Sequence, residues 1–130
     1  MASSSNDSKP LSPHLSIWRW HPTMLTSILH RATGVALYVG AIVLTIWLAA
    51  AAIGPGAYEQ VEGLLLSPLG RLVLFGFTYA AMFHLLSGVR HLIWDAGTGF
   101  SPKGASAASV FILLAAGVAT FAVWLAAYFV

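Results

Sequence analysis

Residues 32–58 read ATGVALYVGAIVLTIWLAAAAIGPGAY, a run without a charged side chain. A helix that crosses a bilayer needs roughly 20 mostly apolar residues, so this run is long enough for one span. Two similar runs follow at residues 72–89, interrupted only by His84, and at residues 104–130. None alternates apolar and polar residues as barrel strands do. The sequence therefore predicts an all-α integral membrane protein, a bundle of three transmembrane helices.

The composition excludes most soluble classes of protein. Of the 130 residues, 58% are hydrophobic and 8% are charged, whereas about 25% of the residues in a soluble domain are charged. The absence of cysteine excludes disulfides and thiolate metal sites. With six Lys and Arg residues in all, the chain lacks the clustered positive charge that a nucleic-acid interface needs.

Glycine, proline and serine residues mark the ends of the spans. Gly54 and Pro55 cannot continue the first helix. Ser67-Pro68 is typical of an N-cap followed by proline at the first helical position, and residues 97–102 (GTGFSP) predict a loop. The resulting organisation is an N-terminal segment (residues 1–23) and a transmembrane domain (residues 24–130) with spans at residues 24–52, 67–95 and 105–129.

Most basic residues lie on one side of the predicted bundle. They are Lys9, Arg19, Arg31, Arg90 and Lys103. The connection between the first two spans instead carries Glu59 and Glu62, so the positive-inside rule predicts a cytoplasmic N-terminus. Because no cleaved signal peptide or transit peptide is recognisable, we expect the inner (cytoplasmic) membrane of a bacterium, although a mature or organelle-encoded chain would look the same.

Ser27, His30 and Arg31 form a first polar cluster at the start of the first span. Spacings of three and four residues predict that the three side chains share one helical face. Polar groups in a span are costly and point to function; at the interface they could bind an anion or the polar head of a lipid-soluble ligand. The alternative is that His30 and Arg31 are interfacial anchors that reach lipid phosphates.

A second polar cluster follows one face of the second span. Its members are His84, Ser87, Gly88, His91 and Asp95, and Gly76 and Ala80 continue that face. His84 is the deepest ionisable group, and neutral imidazole is a good ligand for haem iron. The alternative for His84 is a hydrogen bond to a neighbouring helix. Asp95 is expected to be solvated or paired with Arg90, and Arg90 could itself be a positive-inside anchor.

The two clusters lie at depths that suit one shared ligand. Seven residues of helix, or about 10 Å, separate His84 from His91, which matches the distance from a haem iron to the ends of its propionates. An iron on His84 would place the propionates among His30, Arg31 and His91, where charge pairing is favourable. Because every other histidine is expected near the cytoplasmic side, a second axial ligand would have to come from another chain.

Three stretches of the sequence form a recognisable pattern. They are Pro10-Leu11-Ser12-Pro13-His14-Leu15, then Ser27-Ile28-Leu29-His30-Arg31-Ala32-Thr33-Gly34, and then residues 84–97, HLLSGVRHLIWDAG. The combination S-x-x-H-R-x-T-G and H-x-x-x-G-x-R-H-x-x-x-D resembles the cytochrome b subunits of succinate dehydrogenase, the larger membrane anchor of respiratory complex II. The resemblance extends over nearly the whole chain in length and number of spans. Lys9 and Trp18 depart from the usual Arg and Tyr, outside the expected pocket.

The resemblance implies a complex that oxidises succinate on an FAD-containing flavoprotein and passes electrons through an iron–sulfur subunit to ubiquinone. This chain would be an anchor, not catalytic alone, that binds haem b and shapes the quinone site together with a second small anchor subunit. His84 is implied as one axial haem ligand, with the second ligand supplied by the other anchor. The implied site residues are Ser27, Ile28 and Arg31 for the quinone and His30, Arg31 and His91 for the haem propionates.

Three other functions stay open at this point. A haem-free structural anchor would have the same partners, with His84 as a packing residue, and a quinol:fumarate reductase anchor would share the architecture. A small transporter or proton channel usually places a carboxylate near the middle of the membrane. No Asp or Glu lies deep in any predicted span, which disfavours this last class.

Overall fold

A computed structural model describes residues 18–129, which form four α-helices: α1 (Pro22–Ile53), α2 (Pro55–Leu65), α3 (Pro68–Asp95) and α4 (Pro102–Phe129). Helices α1, α3 and α4 are long and apolar enough to cross a membrane. The all-α prediction with three spans is therefore confirmed, and each predicted span end lies within three residues of a helix end. Most of the predicted N-terminal segment, including the motif at residues 10–15, lies outside the described residues.

Proline, glycine and serine set the helix boundaries. All four helices begin with proline, where the missing N–H would in any case lack an intrahelical partner. Gly54 ends α1 with a φ of 137°, a conformation that residues with a side chain rarely adopt. Ser67 caps α3, since its Oγ accepts a hydrogen bond from the Gly70 N–H at 3.1 Å. Ser101 makes a similar contact with the Gly104 N–H at 3.2 Å, so α4 begins three residues earlier than expected.

The connection between the first two spans is itself a helix, α2. Pro55 starts α2 directly after the break at Gly54. The ring of Tyr58 packs on Trp47 of α1, with centroids 6.0 Å apart. The Tyr58 hydroxyl donates to Glu62 Oε1 at 2.8 Å, and this hydrogen bond raises the pKa of Tyr58 above its ordinary value. Such contacts support an 11-residue helix that would be marginal in isolation.

The three long helices meet in a small interior in which α3 touches both α1 and α4. The hydrophobic core consists of Phe83, Ile112 and Ala116. The buried polar residues are Thr26, Ser87, Arg90, Ser109 and Thr120. Most large apolar side chains point outward and are exposed, as expected for surfaces that meet lipid or other membrane helices. Polar groups therefore gather inside the bundle, mostly where α1 begins and α3 ends.

Candidate functional site

Three histidines from two helices stack on one another near the start of α1. The ring of His30 lies between those of His84 and His91 of α3. Its centroid is 4.1 Å from that of His84 at an interplanar angle of 25°, and 4.9 Å from that of His91 at 19°. Because His84 and His91 are two turns apart on α3, one ring from α1 fits between them. The structure thus joins residues that the sequence assigned to two separate clusters, and His30 reaches closer to His84 than expected.

The hydrogen bonds of His84 define its tautomer. Its Nδ1 lies 3.2 Å from the His30 carbonyl oxygen and 3.2 Å from Thr33 Oγ1. The carbonyl can only accept, and the Thr33 hydroxyl already donates to the carbonyls of Leu29 and His30 at 2.8 and 3.0 Å. The proton in these contacts therefore belongs to Nδ1, and in the neutral imidazole Nε2 then carries the lone pair.

His84 is thus hydrogen-bonded to a neighbouring helix, yet it keeps a nitrogen available for a ligand. Both of its hydrogen bonds involve Nδ1. Metal-ligating histidines are commonly held this way, with the second ring nitrogen donating to a backbone carbonyl. Gly34 makes the close approach of α1 possible, because a Cβ there would lie 3.2 Å from His84 Cε1. The hydrogen-bonded alternative and the ligand interpretation are therefore compatible.

The other two histidines differ in the hydrogen-bond partners of their ring nitrogens. His91 Nδ1 donates to the Ser87 carbonyl oxygen at 2.7 Å, and its ring meets Trp94 edge to face at 5.2 Å. His30 Nε2 is buried and has no hydrogen-bond partner in the part of the chain that the structure describes. A buried polar nitrogen without a partner is costly. His30 therefore marks a position at which a further polar group would be favourable.

Ser27, Ile28 and Arg31 remain on the surface of α1. All three are exposed, Ile28 to 51%, and Ser27 and Ile28 line a shallow depression there. Successive residues advance by about 100° around a helix, so Ser27, His30 and Arg31 lie within one sector of α1, as their spacing predicts. His30 lies at the edge of that sector that meets α3, whereas Ser27 and Arg31 stay exposed.

Arg90 is buried between three helices instead of anchoring α3 at the membrane surface. It is 6% exposed, and its guanidinium donates to the hydroxyls of Ser109 and Thr26 at 2.8 and 3.3 Å. Asp95 stays exposed. The anchor interpretation of Arg90 is therefore wrong, and the exposed Asp95 agrees with the solvated alternative rather than with pairing to Arg90. The reason lies in α3, whose buried residues recur every three or four positions: Ala80, Phe83, Ser87 and Arg90.

Sequence reasoning missed three hydroxyl residues that organise this region. Thr33 orients His84, and Thr26 and Ser109 hold Arg90. Thr26 and Thr33 are seven residues apart, two turns of α1, and this spacing was the signal that they share a face. Ser109 gave no comparable signal, because a single serine in an apolar run is a common packing residue.

Comparison with known proteins matches the whole length of the described bundle. A family described as succinate dehydrogenase/fumarate reductase transmembrane subunit matches residues 5–124. The succinate dehydrogenase cytochrome b556 subunit of Paracoccus denitrificans is 39% identical over 130 residues, which is 100% of this chain and 99% of that protein. The corresponding subunit of Rickettsia felis is 33% identical over 116 residues, 89% of this chain and 90% of its own. The mitochondrial cytochrome b560 subunit of Sus scrofa is 38% identical over 111 residues, 82% of this chain but 64% of its own.

Proposed function

Because this chain belongs to the succinate dehydrogenase/fumarate reductase transmembrane subunit family, we propose that it anchors a succinate:ubiquinone oxidoreductase, binds haem b and forms part of the ubiquinone-reduction site. Its relatives over the full length are named cytochrome b subunits of succinate dehydrogenase. The observation that carries the proposal is the contact of His84 Nδ1 with the backbone of α1, which orients the ring and leaves Nε2 for a ligand. That nitrogen is the one that an axial haem ligand must offer.

The surroundings of His84 fit a haem. A Cβ added at Gly88, one turn further along α3, would meet nothing within 4 Å, which leaves space beside the ligand for a flat group. The buried Nε2 of His30 lacks a partner among residues 18–129, and a propionate carboxylate would supply one. His91 and Arg31 would complete the propionate contacts. When bound, the haem supplies a one-electron carrier.

A bound haem would need a second ligand besides His84. Among residues 18–129, the ring of His30 lies face to face with that of His84 at 4.1 Å, which suits a neighbour of the ligand better than a second ligand. We infer that the second small anchor subunit provides that ligand, and that the domain of residues 24–130 contributes half of the haem site.

The quinone site is assigned to Ser27, Ile28 and Arg31. Ser27 and Arg31 are one turn apart and exposed on α1, so a neighbouring subunit can close the site over them. The Ser27 hydroxyl would donate a hydrogen bond to a quinone carbonyl oxygen, and the Arg31 guanidinium would stabilise the negative charge that develops there. Ile28 would offer an apolar contact to the ring. Electrons would arrive from FAD and the iron–sulfur clusters of the partner subunits.

The test uses the complete complex purified from native membranes. A haem-to-flavin ratio near one supports the haem proposal, and a ratio near zero would leave a haem-free structural anchor.

Ser27→Ala and Arg31→Ala are expected to lower succinate–quinone reductase activity about tenfold or more, since each removes a polar contact to developing charge. Succinate oxidation by an artificial dye should stay near wild type. Arg71→Ala, at an exposed arginine near the other end of the bundle, is the matched control; unchanged quinone reduction in the Ser27 and Arg31 variants would contradict the site.

One alternative activity has direct support in the family description, which names fumarate reductase beside succinate dehydrogenase. A quinol:fumarate reductase anchor would use the same residues with electrons moving the other way. The two are separated by measuring both directions on one preparation. Faster fumarate reduction by a reduced quinone than succinate oxidation by the oxidised quinone would favour this alternative.

A further inference from the structure

Arg90 is the only charged residue that is buried in the part of the chain that the structure describes. Its guanidinium joins all three long helices. It donates to Ser109 of α4 at 2.8 Å, to Thr26 of α1 at 3.3 Å from both terminal nitrogens, and to Ser87 of α3 at 3.5 Å. Its Nε has no partner among the described residues. The proposed roles of haem and quinone binding make no use of this side chain.

The partners of Arg90 solvate its charge without neutralising it. The Thr26 hydroxyl donates to the Thr23 carbonyl at 3.1 Å, and the Ser109 hydroxyl donates to the Ala105 carbonyl at 2.9 Å. Both oxygens therefore turn their lone pairs toward the guanidinium. These partners are dipoles, and Asp95, the acid nearest in sequence, is exposed elsewhere. The result is a positive charge in the bundle interior with no counter-ion from residues 18–129.

The charge of Arg90 lies close to the histidine stack. Six residues of α3 separate it from His84, about 9 Å along the helix axis. The guanidinium carbon sits 4.8 Å from the centroid of Trp94, which in turn packs on His91 at 5.2 Å. In a membrane interior the dielectric constant is low and few mobile ions are present. A unit charge less than two helical turns along α3 from His84 would therefore act on a redox centre there more strongly than it would in water.

We propose that Arg90 is an electrostatic residue that raises the reduction potential of the haem at His84. The inference rests on the proposed haem function. Reduction adds one electron to the iron, breaks no bond and lowers the net charge of the centre by one. A fixed cation nearby therefore stabilises the reduced form relative to the oxidised form. This effect comes from the charge of Arg90 and requires no contact with the haem or the quinone.

The test is a redox titration of the haem absorbance in the purified complex, with dithionite as reductant and ferricyanide as oxidant. Arg90→Met removes the cation, and the Thr26 and Ser109 oxygens, 3.2 Å apart, can then bond each other once one hydroxyl turns away from its carbonyl. At the wild-type midpoint potential we expect the ratio of reduced to oxidised haem to fall about tenfold, which corresponds to about 59 mV for a one-electron couple.

A matched pair at position 109 separates charge from packing. Ser109→Asp places an anion against Arg90, and Ser109→Asn has the same shape without the charge. We expect Ser109→Asp to lower the ratio about tenfold and Ser109→Asn to change it less than twofold. This pair decides the question even if Arg90→Met fails to assemble.

The outcomes distinguish this inference from the function on which it rests. Equal potentials for the Asp and Asn variants, or an unchanged potential in a haem-containing Arg90→Met complex, would overturn the role of Arg90 and leave the haem proposal intact. A wild-type complex without haem would overturn the haem proposal itself, and the role of Arg90 with it.

Discussion

The two ring nitrogens of His84 have different surroundings, and this difference matters for a metal ligand. Nδ1 contacts the His30 carbonyl and Thr33 Oγ1, both at 3.2 Å, so the ring is oriented by α1 while it belongs to α3. A ligand oriented from a second helix loses affinity when the orienting group is removed. We therefore expect Thr33 to support the proposed haem site without contacting the haem.

Thr33→Val is expected to weaken haem retention. The change keeps the shape of the side chain but removes the hydroxyl near His84 Nδ1. Loss of such an orienting contact typically lowers metal affinity about 10–100-fold. Because His84 Nδ1 keeps its contact with the His30 carbonyl, we expect a loss of haem affinity at the lower end of that range. The rate at which the purified complex loses haem to apomyoglobin measures haem retention. Thr45→Val is the control, because Thr45 also bonds the carbonyl four residues earlier but lies exposed on α1.

Arg90 and Arg31 show how one residue type takes opposite positions in the same bundle. Arg31 is exposed, while Arg90 is 6% exposed with hydroxyl partners on each long helix. Both lie at the end of the bundle that carries the histidine stack. The exposed arginine can meet a ligand or another subunit, and the buried one is proposed to act through its charge.

Helices α1 and α3 approach each other closely at glycines of α1. A Cβ at Gly34 would come within 3.2 Å of His84, and a Cβ at Gly40 within 3.1 Å of Phe77. Close approach at small residues is the usual way in which membrane helices gain packing energy. The position of the His84 ring therefore depends on the α1–α3 contact as a whole.

Gly34→Val is expected to displace the His84 ring and to lower the haem-to-flavin ratio of the assembled complex at least twofold. The added methyl groups extend beyond a Cβ that is already too close to His84 Cε1. Gly76→Val is the control, since a Cβ at Gly76 would meet nothing within 4 Å. Equal haem content in the two variants would show that the space beside Gly34 is not required.

The junction between α2 and α3 leaves no room for a side chain at Gly70. A Cβ there would collide with the backbone carbonyl oxygens of Leu64 and Leu65, which cannot move without unwinding the end of α2. We expect Gly70→Ala to reduce the yield of assembled complex severalfold, measured by flavin that remains bound to membranes. Gly63→Ala, in α2 with open space around it, should assemble like the wild type.

At the scale of the whole molecule, the bundle has one end rich in histidine and arginine and another end closed by α2. The positive-inside rule places the first end in the cytoplasm. Since α2 carries Glu59 and Glu62, the proposed orientation puts this helix on the outer side of the membrane. The residues proposed to bind haem and quinone then face the side on which the flavoprotein and iron–sulfur subunits are proposed to dock.

Cysteine labelling of intact cells tests this orientation. The chain contains no cysteine, so single substitutions give an unambiguous signal. We expect a membrane-impermeant maleimide to label Gln60→Cys in α2 but to label Thr98→Cys, in the α3–α4 connection, only after the cells are lysed. Both positions are exposed in the structure. The reverse pattern would contradict a cytoplasmic N-terminus.

The sequence by itself determined the fold class and the limits of the spans. Charge-free runs of sufficient length leave the chain no other stable state in a bilayer. The prolines and capping serines that begin the helices act within a few residues, so the sequence alone predicts these boundaries. For the same reason the sequence predicted His84 as a candidate ligand, because an ionisable group deep in a span stands out against its apolar neighbours.

Only the tertiary structure decided how each helix is rotated about its axis. Periodicity reports which residues share a face, but not which face meets a neighbour. The sequence therefore missed that His30 turns inward to stack between His84 and His91 and that Arg90 lies inside the bundle. Burial of Arg90 depends on Thr26 and Ser109, hydroxyls 83 residues apart in the chain. Such an environment exists only once three helices have packed together.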